Sequence, residues 1–230
     1  MLQKRLFLLF VGISFISLVS CEESKEDNTG LFALLLLSGG NTAAAVITSC
    51  EDSAFCRTFI ANNGGQGFDG NLGGVTGADA KCAAEKPAAF TGTYKALIVA
   101  GAGTVRSAVP TGAVTTATDW VLYPNKEYRR QDGTTVTFTT NAQAIVTANL
   151  QNGINGGAQT YFWSGLSSPA NGTDLWEEGG NCLEWTSAGA AEIGQAGNTS
   201  AVTADATPEG AFTIDTHACN SRLNLLCVEQ

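Results

Sequence analysis

The side chains of this sequence that could do chemistry are seven cysteines and one histidine, His217, in 230 residues. Their spacing narrows what that chemistry could be. No two cysteines form a C-x-x-C, which argues against a zinc site or a thioredoxin-like redox pair. His217 stands in Asp215-Thr216-His217, the start of an acid–base pair, yet no G-x-S-x-G elbow or S-x-x-K supplies a nucleophile. Gly101-Ala102-Gly103 follows an apolar stretch as a dinucleotide fingerprint does. Arg106 replaces its third glycine and Pro110 lies where the helix should run, so a tight strand-end turn is the better reading. With no second histidine and no D-x-[DN]-x-[DN]-G loop, no metal site is indicated. The expectation is a non-enzyme with no catalytic residues, no metal and no cofactor. Trp120, Trp163, Trp176 and Trp185 could stack on a sugar, but core packing is the commoner use of tryptophan.

One cysteine differs from the others in context. Lys4 and Arg5 precede an apolar run of 13 residues, Leu6 to Leu18, which is the length of a signal-peptide core and too short to span a bilayer. It ends in Leu18-Val19-Ser20-Cys21, which looks like a bacterial lipobox. Residues 1–20 are therefore expected to be a lipoprotein signal peptide, with Cys21 as the lipid-attachment residue and a membrane anchor in place of a spanning helix. Residues 21–55 read as an acidic tether and linker, interrupted by the apolar run at 31–37, and residues 56–230 as the folded domain. The remaining cysteines, Cys50, Cys56, Cys82, Cys182, Cys219 and Cys227, are even in number in an exported chain and read as disulfides. Cys50 and Cys56 are close enough to close a small loop; otherwise the connectivity stays open.

Charge limits the partners. With 12 Lys and Arg against 21 Asp and Glu, the formal charge is −9, which argues against nucleic acid or another polyanion. A hydrophobic content of 44% is too high for a disordered chain.

The elements that must position these residues are short. Residues 57–60, 94–100, 134–140, 161–163 and 223–228 read as strands from their apolar or alternating pattern. Thr76-x-x-Asp79 has capping-box-like spacing and opens a helix that Pro87 stops. One helix among short strands and long loops predicts an α+β domain.

Two sets of residues carry a resemblance. Trp163-Ser164-Gly165-Leu166, followed by Cys182 and by Cys219 and Cys227 with seven residues between them, resembles the C-type-lectin-like fold. Gly180-Asn181-Cys182-Leu183-Glu184-Trp185 resembles the C-x-x-W of endostatin. Closer still, residues 70–82, 93–97, 119–125 and 224–230 are similar to the leptospiral endostatin-like lipoproteins, a family of unknown function. The resemblance implies a C-type-lectin-like (endostatin-like) domain with pairs Cys82–Cys227 and Cys182–Cys219, leaving Cys50–Cys56 as a local bridge. It does not bring calcium or zinc with it, since the residues before Cys182 and Cys219 lack the lectin ligands and one histidine cannot build endostatin's zinc site. It implies a lipid-anchored envelope protein, in the outer membrane and displayed at the surface, acting as an adhesin-like binder of host extracellular-matrix or complement proteins. The ligand-binding residues are not legible; the loop between Leu166 and Trp185 is the expected region. The alternative is a periplasm-facing structural lipoprotein that binds envelope partners.

Overall fold

In the computed structural model, which describes residues 49–108, 116–167, 176–204, 210–212 and 215–230, strand β1 (Cys56–Ala61) pairs antiparallel with β8 (Asn224–Glu229). β2 (Tyr94–Ala96) lies on the other edge of β8, where β5 (Tyr161–Trp163) joins it in parallel. β3 (Glu127–Arg129) runs parallel to β1 and carries β4 (Val136–Thr139) beside it. β6 (Ile193–Asn198) and β7 (Asp215–Ala218) extend the sheet beyond β5. The order is β4-β3-β1-β8-β5-β6-β7, with β2 also on β8.

The α+β, C-type-lectin-like expectation is corrected by this topology. Eight strands join in one mixed sheet, and the single right-handed α-helix among the described residues, α1 (Gly74–Glu85), has 12 residues, so the domain is β-rich. Composition explains the balance. Residues 78–85 concentrate Ala, Lys and Glu, which favour helix, whereas the other connections are rich in Gly, Ser, Thr and Asn, which favour turns. Helix α1 also starts differently from the reading above. Gly73, with φ 83°, is its N-cap without a side-chain bond, and Asp79 is occupied elsewhere.

β8 is apolar at successive positions because both its faces are covered. Phe59, Ala61, Ala96, Trp163, Leu225 and Cys227 pack together on the side of α1. Tyr128, Phe138, Phe162, Phe212, Leu226 and Val228 belong to the core of the opposite face. Disulfides tie the sheet to its surroundings: Cys82–Cys227 joins α1 to β8, Cys182–Cys219 joins the residues before β6 to the end of β7, and Cys50–Cys56 closes a short loop ahead of β1. The Cys82–Cys227 bridge spans 145 residues, and loop-closure entropy over that length contributes about 5 kcal/mol. The signal segment, Cys21 and the apolar run at 31–37 lie outside the described residues.

Candidate functional site

The expected binding region, between Leu166 and Trp185, is described at residues 166–167 and 176–185; its middle lies outside the described residues. Its described part contains a local anomaly. Cys182, Leu183, Glu184 and Trp185 all have φ between 52° and 62°, a full left-handed turn without glycine. Each such residue costs about 1–2 kcal/mol, so the turn must be held from outside.

Its supports are specific. Cys182 is bonded to Cys219, and the buried Trp185 ring donates its indole N–H to the Val99 carbonyl at 2.8 Å. Asn181 closes the turn, its carbonyl accepting from Trp185 N–H at 2.7 Å and its side chain from Glu184 N–H at 3.1 Å. The Glu184 carboxylate then accepts from Gly101 N–H at 2.5 Å, while Glu178 accepts from Ala102 N–H at 2.7 Å and from the Asn181 amide at 2.7 Å. Two carboxylates thus sit on the main-chain donors of the Gly101-Ala102-Gly103 turn. Burial pushes the Glu178 carboxyl above its ordinary value, and the Glu184 charge pushes the same way, against the hydrogen bonds it accepts. A cavity of about 410 Å³ opens here, lined by Ala102, Gly103, Ser107, Trp176 and Glu178 among others.

With its neighbours pinned, Leu183 points outward and is 61% exposed; Val105, whose side chain lies against Gly101, is 49% exposed. The arrangement presents aliphatic side chains on a rigid base beside two carboxylates. That can support contact with a macromolecule.

Arg106 braces the other end of this turn. It is fully buried and donates to both Asp79 oxygens at 2.8 Å, to Asp119 Oδ2 at 2.5 Å and to the Ala96 carbonyl at 3.0 Å. Lys95 also donates to Asp119, at 2.5 Å. Burial lowers the Arg106 pKa and raises that of Asp119, but the hydrogen bonds and opposite charges outweigh it, so Arg106 ends above and Asp119 below its ordinary value. The cluster is structural, joining α1 and β2 to the turn.

The other residues singled out by sequence fall into place. Trp163, Trp176 and Trp185 are buried, each indole N–H on a carbonyl, of Phe68, Val146 and Val99 respectively. Trp120 is partly buried and donates to the Ala144 carbonyl. These rings are packing elements, not a platform. His217 lies against Tyr161, with ring centroids 5.4 Å apart, while Asp215 accepts from Thr216 N–H; the two are not joined. Gly101-Ala102-Gly103 is a turn with positive φ at all three residues, closed by the Ala100–Arg106 bridge. Among the described residues no group of three His, Cys, Asp or Glu side chains could hold a metal ion. Sequence analysis placed Asp79 at a helix cap and Arg106 beside a turn without their ion pair, and did not single out Asp119, nor Glu178 and Glu184 within the loop it expected to bind. Its one available signal was the arginine standing where the fingerprint needs glycine.

Together these features define a disulfide-braced, β-rich domain that carries a strained loop face. The chain belongs to the family described as protein of unknown function (DUF1554), which matches residues 65–202. No curated protein matches it.

Proposed function

We propose that this chain is a lipid-anchored envelope lipoprotein, attached through Cys21 to the outer membrane, whose domain binds a host protein without catalysis. The Leu18-Val19-Ser20-Cys21 motif supports the anchor. The likeness of residues 70–82 and 224–230 to the leptospiral endostatin-like lipoproteins supports extracellular-matrix or complement proteins as partners. The observation that carries the binding reading is Leu183, a large aliphatic side chain displayed on a left-handed turn that a disulfide and a buried tryptophan hold in place. Loops on a rigid scaffold are where recognition residues concentrate.

Immobilised laminin, fibronectin and complement factor H provide the test. Saturable binding of the oxidised protein, lost in Leu183→Glu and on reduction, is the expected result. Absence of saturable binding to all three removes the host-protein reading. Proteinase shaving of intact cells, with a periplasmic control, tests display: protection in intact cells but digestion after permeabilisation points to envelope partners instead.

A further inference from the structure

From Gln131 to Ser221 the chain carries no Lys or Arg, yet Glu177, Glu178, Glu184 and Glu192 all fall in that stretch. Among the described residues none of these four glutamates is in an ion pair. The cations at the far end of the 100–106 turn, Arg106 and Lys95, are taken up by Asp79 and Asp119. What Glu178 and Glu184 receive instead is main-chain and amide N–H groups, which are dipoles and leave the charge in place. A carboxylate has about four acceptor positions, and Glu178 uses one on each oxygen. Glu177 makes no side-chain hydrogen bond to another described residue. This end of the turn therefore holds negative charge that no described side chain neutralises.

The same groups are open to water. Glu177, Glu184, Leu183, Val105 and Ala102 are exposed, and Glu178 is half-buried. Short contacts join them into one surface. Val105 covers Gly101 so closely that a Cβ added there would stand 2.3 Å from its Cγ2. The Gly101 N–H is held by Glu184, the chain neighbour of Leu183, and the Ala102 N–H by Glu178. The cavity of about 410 Å³ opens beside Glu177 and Glu178. Aliphatic and acidic side chains thus alternate around its mouth, and charge decides what can cover them. An acidic partner is repelled, and a neutral apolar one strips water from the carboxylates without replacing it. A Lys or Arg supplies the missing countercharge, while its methylene stem lies over aliphatic surface. A metal ion is less suited, because among the described residues no group of three His, Cys, Asp or Glu side chains could hold one.

We propose that the loop face binds a basic segment of a partner protein. One Lys or Arg side chain enters the cavity beside Glu177 and Glu178, and an adjoining aliphatic side chain packs on Leu183 and Val105. The ammonium or guanidinium donates to the glutamate oxygens, a charge-assisted bond stronger than the N–H contacts already there. Burial and the Glu184 charge hold the Glu178 carboxyl above its ordinary pKa, a displacement that a bound cation relieves. The inference rests on the loop face being the contact surface, as proposed above, and adds the chemistry of what it contacts. Complementary charge of this kind acts mainly on encounter and selectivity, and salt screens it.

The probe is an array of immobilised short peptides that place Lys or Arg beside Leu or Val in a Ser–Gly background, with matched versions carrying Gln or Glu for the cation. The full-length chain is applied in neutral detergent micelles. Only the Lys and Arg peptides should retain it, less so as salt rises. Neutralising the pair, Glu177→Gln with Glu178→Gln, should weaken retention about tenfold. Glu177→Gln alone, at an exposed side chain without bonds to lose, should weaken it in the same direction with the fold unchanged, and Leu183→Gly should weaken it as well. The exposed pair Glu51→Gln with Asp52→Asn, outside the loop face, controls for net charge and should leave retention unchanged. No retained peptide, equal retention of the Gln peptides, or an equal loss in the control pair overturns the proposal. Capture of laminin, fibronectin or factor H that needs Leu183 but ignores both glutamates and salt overturns it too, and leaves the host-protein reading standing. Retention of the basic peptides with none of the three proteins bound does the reverse.

Discussion

Asp79 and Asp119 grip one end of the 100–106 turn through the buried Arg106 guanidinium, whereas Glu178 and Glu184 grip the other through main-chain N–H groups alone. Both pairs are acidic and both make short hydrogen bonds, yet Asp119 is displaced downward and Glu178 upward. Asp119 is held below its ordinary value by two full positive charges, Lys95 and Arg106, while Glu178 is pushed above it because burial and a like-charged neighbour outweigh two N–H dipoles. A buried cation fixes a carboxylate; main-chain dipoles only orient one. The Arg106 end is therefore the anchor of the turn and the glutamate end is its adjustable side, next to the exposed Leu183 and Val105.

Removing the cation should have the largest effect. Arg106→Met leaves Asp79 without its cation and Asp119 with Lys95 alone, and breaking a buried pair in this way costs about 3 kcal/mol. Urea unfolding would show it as a lower midpoint at unchanged slope. Asp79→Asn should cost about 2 kcal/mol, because that carboxylate bridges Arg106 and the Ala96 N–H from a less exposed position than Asp119. A smaller loss for Asp79→Asn than for Asp119→Asn would reverse the ranking.

At the glutamate end the numbers shrink. Glu184→Ala removes one hydrogen bond to the Gly101 N–H and should cost about 1 kcal/mol, with hydrogen exchange rising at residues 101–104 but not at Ala96. Leu183→Gly should raise stability by about 1 kcal/mol, since glycine takes φ 53° without strain and the lost side chain is mostly in water. The same change should weaken host-protein binding, which separates the strain of the turn from its use.

The smallest effect is in pH dependence, and the two ends have opposite signs. The Asp119 contribution is full above its unfolded pKa and is lost as pH falls through its depressed folded value. The Glu178 contribution is full below its unfolded pKa and declines as pH rises through its elevated folded value. Glu178→Gln should therefore flatten the stability profile just above the usual carboxylate range and leave the acid limb alone. Flattening of the acid limb instead would mean the two ends are coupled.

Some of this was open to reading in the chain itself. Residues 57–60, 161–163 and 223–228 are apolar enough to require strands, and Pro87 ends the helical stretch before it. The even set of cysteines called for disulfides, and the pairs implied by resemblance are those the structure makes. The α+β expectation had the one helix but too few strands, because loops were treated as neutral connections when several of them hold strands. β6 is the clearest case: Ile193–Asn198 contains two glycines and carries no apolar or alternating run that would mark it as a strand. Those glycines are required because the β5 rings lie where side chains would be; a Cβ at Gly194 would stand 2.8 Å from Trp163, and one at Gly197 would overlap Phe162. β3 and β7 were missed for a related reason, being short and polar, with their pairing supplied by distant partners.

What the sequence by itself determined was covalent and local: which cysteines were available to pair, which runs were too apolar to remain in water, and where proline had to stop a helix. Each of these depends on residues in the same short segment. The tertiary structure decided the left-handed turn at 182–185, the Arg106 cluster and how far β1 and β3 run side by side. The turn is disfavoured at every one of its residues and persists only because Cys219, Val99 and Gly101 hold it. Arg106 is buried only because Asp79 and Asp119 arrive from separate segments to neutralise it. The β1–β3 pairing ends at Arg57 and Arg129 because β3 turns away before β1 ends, a difference in length that has meaning only once the two strands lie side by side.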